Sequence, residues 1–420
     1  MNRAPLALAL LARLAFLAFL AFLVPGGAAA QAIPQPHVAL AHANVVDVTT
    51  GHIQRDVTLV LRDGRIVSVG PGPAPAGAEV IDLGGRYVLP GLMDAHTHLD
   101  NLAAARRALE SGVTTIRSAT VGSYRDVTLR ELVKAGYVAG PDVLAAGVFV
   151  RAELGDGVLA DPALGPLMGS RVVTPEAIRA LVRVNLDHGV DVIKTAATER
   201  AGLPNTDPRV QTYDETQLRA IVEEAATRNA PVEAHAHGDE GARAAVLAGI
   251  RSIEHGTYLS DSTLRLMKER GTFLVPTYST LFDLVEPAGD YDDPVLKIRG
   301  THMIPRMERT IRSAHAMGVK LVTGADNGYS AQSITRVSHE VVRFTQLGLT
   351  PLEAIRAATT NAAELFRIQD RTGRIAAGLE ADVIVVEENP LENVVTVQDP
   401  LLVISNGRIG LNRLRRRPTS

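Results

Sequence analysis

Residues 90–98 read Pro90-Gly91-Leu92-Met93-Asp94-Ala95-His96-Thr97-His98, and this stretch decides the fold. A turn dipeptide opens it, an apolar run follows, and two histidines close it. In a strand, residues i and i+2 point to the same face, so His96 and His98 aim at one point. Other apolar, β-branched runs end on polar residues in the same way. They are Val192-Ile193-Lys194, Glu233-Ala234-His235, Ile253-Glu254-His255 and Thr323-Gly324-Ala325-Asp326. Polar residues at the ends of barrel strands are where such an enzyme keeps its chemistry. Four histidines, a lysine and an aspartate so placed read as a two-metal hydrolase site.

Outward from residue 98, strand-like runs alternate with helical patterns. The runs are Leu89 to His96, Val113 to Ala119, Asp142 to Val150, Asp191 to Ala196, Pro231 to His235, Ser252 to His255, Thr272 to Thr277 and Lys320 to Thr323. Thr174 before Pro175 signals a helix start, and Asp214 caps the next helix, whose apolar residues Leu218, Ile221, Val222 and Ala225 fall at helical spacing. Eight alternating units predict an α/β fold, a parallel (β/α)8 TIM barrel over residues 89–365.

The two flanks differ from that pattern. Short β-rich runs fill residues 37–88, with Asp63-Gly64 as a hairpin turn and a Pro/Gly/Ala loop over residues 71–77. Residues 370–412 look alike, with runs at 381–386 and 401–409. The economical reading is one small β-sandwich built from both ends.

The chain has 420 residues, and 46% hydrophobic content suffices for a large core. A formal net charge of −3 argues against nucleic acid as a partner. The basic tail Arg413-Leu414-Arg415-Arg416-Arg417 is too short to change that. With no cysteine, disulfides and lipid-modified cysteines are excluded. Residues 1–30 carry Arg3, an apolar run from Leu6 to Val24 and small residues before Ala30 and Ala32. That pattern predicts a secretory signal peptide cut after Ala30 or Ala32, hence an exported, periplasmic or secreted protein. The alternative is a retained N-terminal membrane anchor, because the run nearly reaches the ~20 residues that span a bilayer. The oligomeric state stays open, a homo-oligomer included.

The order HxH, Lys, His, His, Asp resembles the amidohydrolase superfamily. The words around His96 and His98, His235-Ala236-His237-Gly238 and Ile253-Glu254-His255-Gly256 resemble its Xaa-Pro dipeptidase and imidazolonepropionase-like branch, over residues 37–412. The resemblance implies two divalent metal ions, zinc being the expected metal. His96, His98 and Asp326 would hold one, and His235 and His255 the other. Lys194, carboxylated on Nζ by CO2, would bridge them, since an ammonium has no lone pair to offer. The other reading of Lys194 is an ion pair with Asp191 or Glu199. Asp326 would also take a proton from the bridging hydroxide and pass it to the leaving nitrogen; its other reading is a turn cap. His237 is two residues beyond His235 and either hydrogen-bonds substrate or is a loop histidine. Arg117 and Tyr278 are the remaining substrate-contact candidates, Tyr278 reading equally as a packed residue at a strand end.

Two departures bear on substrate. Leu99-Asp100-Asn101 runs almost directly into a helical pattern where many relatives have a longer segment, and Ile116-Arg117-Ser118 stands where relatives often have Val-Arg-Asp. The expected activity is hydrolysis of the amide bond of dipeptides or N-acyl amino acids with a free carboxylate. The alternatives are cyclic-amide or ring C–N hydrolysis, as in imidazolonepropionases, and ester, lactone or phosphotriester hydrolysis at the same site. A non-catalytic binding protein is disfavoured, because all six ligand positions are intact.

Overall fold

The computed structural model describes residues 37–286 and 291–414. The expected signal peptide or anchor and the last residues of the basic tail lie outside them. Among the described residues, no helix is long and apolar enough to cross a membrane. From the start of this region come β1 (Val38–Val46), β2 (Ile53–Arg62), β3 (Arg65–Gly70), β4 (Glu79–Asp82) and β5 (Tyr87–Pro90). The β2–β3 turn has φ 52° at Asp63 and 77° at Gly64. Two successive positive φ values twist a hairpin correctly, and Asp-Gly is the pair that tolerates them.

The middle of the chain holds two parallel sheets. One contains β6 (Leu92–Thr97), β7 (Val113–Ser118) and β8 (Asp142–Leu144). The other contains β9 (Ile193–Ala196), β10 (Val232–Ala236), β11 (Ser252–His255) and β12 (Phe273–Val275). Backbone bonds link them on one side, where Val150 N donates to Lys194 O at 2.9 Å and Asp191 N to Ala145 O at 2.8 Å. On the other side, residues 320–327 bridge β12 and β6: Val322 N donates to Leu274 O at 3.0 Å, and Ala95 N to Thr323 O at 3.0 Å.

Two expected strands are shorter than the sequence suggested. The run 142–150 is a strand only over Asp142–Leu144, because Gly147 turns the chain at φ 67° where an added Cβ would meet Tyr124, Asn185 and Val190 within 3 Å. The run 320–323 forms one isolated bridge, Leu321 to Leu274, and no strand. Just beyond it, carboxylates take the donors a ladder would use: Gly324 N donates to Glu340 Oε2 at 2.6 Å and Ala325 N to Asp94 Oδ1 at 3.0 Å. Gly324 also approaches β6 so closely that a Cβ would sit 2.9 Å from the Cβ of His96.

Helices follow the parallel strands, among them Leu102–Glu110, Pro175–Asp187, Glu215–Ala226, Asp239–Ala248 and Asp261–Arg270. Thr174 and Asp214 cap theirs as expected, Asp214 in a reciprocal capping box with Gln217. The chain then returns to the first sheet through β13 (Val383–Val386), β14 (Leu402–Ser405) and β15 (Arg408–Asn412). The order β15-β14-β13-β5-β1-β2-β3, with β4 on β1, makes one mixed eight-stranded sheet from both ends. Hydrogen bonds from β5 to both β1 and β13 unite what was expected as a sandwich. The run 401–409 is in fact a hairpin, turned by Asn406 at φ 49° and Gly407 at φ 76°.

Candidate metal and active site

The parallel strands end on a cavity of about 580 Å³. His96, His98, Lys194, His235, His237, His255 and Asp326 all line it. Four residues at or just beyond the ends of these runs have a left-handed backbone: Thr120 (φ 84°), His255 (φ 75°), Thr277 (φ 48°) and Asp326 (φ 49°). Non-glycine residues adopt that conformation at a cost, and it gathers at functional sites.

Two groups of donors converge. His96, His98 and Asp326 offer ligand atoms within 4.8 Å of one another, and so do His235, His237 and His255. Asp326 Oδ1 lies 3.3 Å from His96 Nε2 and 3.2 Å from His98 Nε2, and Oδ2 is 3.9 Å from His255 Nδ1. The sequence grouping placed only His235 and His255 in the second set. The structure adds His237, whose ring stacks on His255 at 4.5 Å between centroids.

Each histidine is fixed by a bond to one ring nitrogen. His98 Nδ1 donates to Thr120 O at 2.6 Å, which leaves Nε2 with the lone pair in the neutral ring. His96 Nδ1 bonds Glu254 Oε2 at 2.9 Å. His237 Nδ1 meets Thr257 Oγ1 at 2.9 Å and His255 Nδ1 meets Thr277 Oγ1 at 2.7 Å. His235 Nε2 bonds Glu199 O at 3.1 Å. Such partners set tautomer and aim in metal sites.

Electrostatics favour lone pairs on His235, His237 and His255 and a carboxylate at Asp326, whereas His96 is held above its ordinary value. Burial, followed by the charges of His237 and Lys194, pushes His235 well below the usual imidazole range. Burial takes His237 down to about 3. Burial alone would raise Asp326, but attraction to His96 and the close contacts with His96 and His98 outweigh it and hold the acid well below its ordinary value.

Lys194 is 2% exposed, and its Nζ has no hydrogen-bond partner among the described residues. Neither ion-pair alternative is realised. Asp191 pairs with Arg130 at 2.5 Å, and Glu199 Oε2 accepts from Asp207 N at 2.8 Å. Burial lowers the pKa of Lys194. Glu233, Glu254 and Asp326 act on Lys194 electrostatically but none bonds it; a buried ammonium without a hydrogen bond is costly, and its nitrogen, if carboxylated, would become an anion on the cavity. The donor set therefore fits a pair of divalent ions.

Two sequence candidates do not face the cavity. Arg117 is buried beneath the histidines: its Nε donates to Ala95 O at 2.9 Å, its Nη1 to Ser252 Oγ at 3.0 Å and its Nη2 to Glu254 Oε1 at 2.8 Å. Its Nε also lies 2.6 Å from Glu233 Oε2 in an ion pair. The residue is 3% exposed and does not line the cavity. Tyr278 also points away, its hydroxyl donating to Glu308 Oε1 at 2.6 Å and its N–H to Glu340 Oε1 at 2.8 Å. Thr277, Thr280 and Leu281 line the cavity in its place.

Sequence reading passed over Glu233 and Glu254, which pair with Arg117. The available signal was a carboxylate inside an apolar strand, next to or two residues before a histidine. It also passed over Asp94, which accepts from Tyr329 Oη at 2.7 Å and from Ala325 N.

The model of the amidohydrolase family matches residues 87–410. This chain belongs to the amidohydrolase family. Among its amidohydrolase relatives, ochratoxinase of Aspergillus niger is 29% identical over 422 residues, covering 87% of this chain and 84% of its own. A Xaa-Pro dipeptidase solved with methionine in its active site superposes with TM-score 0.79 at 26% identity, over 89% of this chain and 99% of its own. A prolidase complexed with N-methylphosphonate-L-proline superposes with TM-score 0.78 at 29% identity, again over 89% and 99%. As an amidohydrolase, the protein is an enzyme that hydrolyses carbon–nitrogen bonds.

Proposed function

We propose that the protein is an exported two-metal hydrolase of the amide bond in dipeptides or N-acyl amino acids. The observation that carries this reading is Lys194, a buried amine without a partner on the same cavity as two three-residue donor sets. His96, His98 and Asp326 would hold one zinc ion, His235 and His255 the other, with carboxylated Lys194 shared. Bound metals polarise a carbonyl and make water a nucleophile near neutral pH. Relatives solved with methionine or a phosphonate analogue of a prolyl substrate support the amide and free-acid assignment. The same reading takes the two parallel sheets as one (β/α)8 barrel over residues 89–365, supported by the backbone bonds that link them on both sides. The flanking segments 37–88 and 370–412 form the second domain.

The chain's own groups divide the work. With Asp326 Oδ1 beside the Nε2 atoms of His96 and His98, Oδ2 takes the proton of the attacking water and delivers it to the leaving nitrogen. His237 stays neutral and hydrogen-bonds the substrate's scissile carbonyl or its carboxylate. Thr277 and Thr257 keep His255 and His237 aimed.

The test is turnover of the zinc-loaded full chain against N-acetyl amino acids and Xaa-Pro dipeptides. Amine release is expected, abolished by a chelator and restored by zinc. Faster turnover of aryl esters or lactones than of these amides overturns the assignment.

A further inference from the structure

The cavity has an outer wall that the proposed reaction leaves unused. Arg151 follows Val150, whose N–H bonds the carbonyl of Lys194 at 2.9 Å. Arg200 lies six residues beyond Lys194, directly after Glu199, whose carbonyl touches His235. Both side chains line the cavity. The Lys194 strand and the segment bridged to it thus each bring an arginine to one cavity.

Among the described residues, neither guanidinium has a carboxylate at ion-pair distance. Arg151 reaches only Leu154 O at 3.4 Å and lies over the Phe149 ring at 5.6 Å. Glu153, the acid that acts on Arg151 from afar, pairs with Arg171 at 2.8 Å. Of the acids on the cavity, Asp100 is held by Arg125 at 2.9 Å, Asp326 sits among the histidines, and Asp156 is exposed. Burial and then repulsion from Arg200 weaken the hold of Arg151 on its proton. An anion placed between the two would relieve both.

The loop carrying Arg200 is held in place. Arg299 donates to four of its carbonyls: Ala201 at 2.5 Å, Leu203 at 2.6 Å, Pro204 at 3.2 Å and Thr206 at 2.5 Å. Tyr291 packs so tightly on Gly202 that a Cβ there would sit 2.9 Å from its ring.

We propose that Arg151 and Arg200 form a carboxylate subsite that takes the free α-carboxylate of the substrate's amine-side residue. Guanidinium forks match carboxylate geometry, and charge-assisted bonds of this kind are the strong ones. The scissile carbonyl then lies over the histidine cluster and the leaving residue points to the outer wall. The pair thereby selects free acids over their blocked forms. This inference rests on the amide-hydrolase reading.

The test compares zinc-loaded wild type with Arg151→Gln/Arg200→Gln, which keeps most of both stems and removes both charges. The substrates are N-acetyl-L-phenylalanine and its α-carboxamide. Wild type is expected to prefer the acid. In the variant, kcat/KM for the acid should fall about 10- to 100-fold, with the amide within about threefold and zinc content unchanged. Arg200→Lys should recover part of the acid preference. Equal losses on acid and amide, or an unchanged preference, overturn the subsite. If wild type hydrolyses neither compound, the amide-hydrolase reading fails separately. Calorimetric titration with N-acetyl-L-phenylalanine then decides the subsite: binding of the acid over the amide, lost in the variant, supports it, and equal or absent binding overturns it.

Discussion

Two layers of ionisable groups occupy the same strands and keep different company. The upper layer, at the strand ends, is the histidine cluster with Lys194 and Asp326. The lower layer is Arg117, Glu233 and Glu254, each at most 3% exposed. β10 supplies both layers through Glu233 and His235, and β11 through Glu254 and His255. Below, Arg117 gathers two carboxylates, one of which holds the ring of His96. Above, Lys194 has no hydrogen-bond partner among the described residues. Arg117 and Glu254 are hydrogen-bonded, whereas Lys194 Nζ and the oxygens of Glu233, in register beside it on β10, have no hydrogen-bond partner among the described residues. Arg117 and Glu254 orient the histidine cluster, and Lys194 is the group left for a bound species.

The largest effect should come from Lys194→Ala. Activity should fall by orders of magnitude and partly return with acetate or propionate, which would stand in for the proposed carbamate. Thermal unfolding of the metal-free variant should not drop, because the change deletes a buried amine without a partner. A variant that keeps full activity without added acid would remove the distinction between the layers.

Arg117→Met should do the reverse. It strands Glu233 and Glu254 without their cation, and breaking a buried pair costs ~3–5 kcal/mol. Thermal unfolding should show that loss, and zinc affinity should weaken by ~10–100-fold as His96 loses its support. An unchanged melting temperature would mean that the lower layer does not hold the upper one.

Much of this was legible in the sequence, for a physical reason. Strand ends sit beside alternating apolar residues, so the positions of His96, His98, Lys194, His235, His255 and Asp326 could be read from period and order. Arg117 was misread because a charge inside Ile116-Arg117-Ser118 looks the same whether its partner is substrate or a carboxylate from another strand. Glu233 and Glu254 lie 135 or more sequence positions from the stretch that opens the site, although they support it. Tyr278 depended on one backbone torsion, at Thr277, that sequence does not announce. The Asn406-Gly407 hairpin, by contrast, had the same signature as Asp63-Gly64 and was readable. Arg151 and Arg200 sit on loops with no periodicity, and only the folded cavity brings them together.

The central claim is that two donor sets and Lys194 hold a pair of metal ions. Elemental analysis of the purified full chain, grown with zinc and dialysed against buffer, tests it directly. The account predicts close to two zinc ions per chain, falling in Lys194→Ala. One ion per chain in the native protein, with the same content in Lys194→Ala, would contradict it.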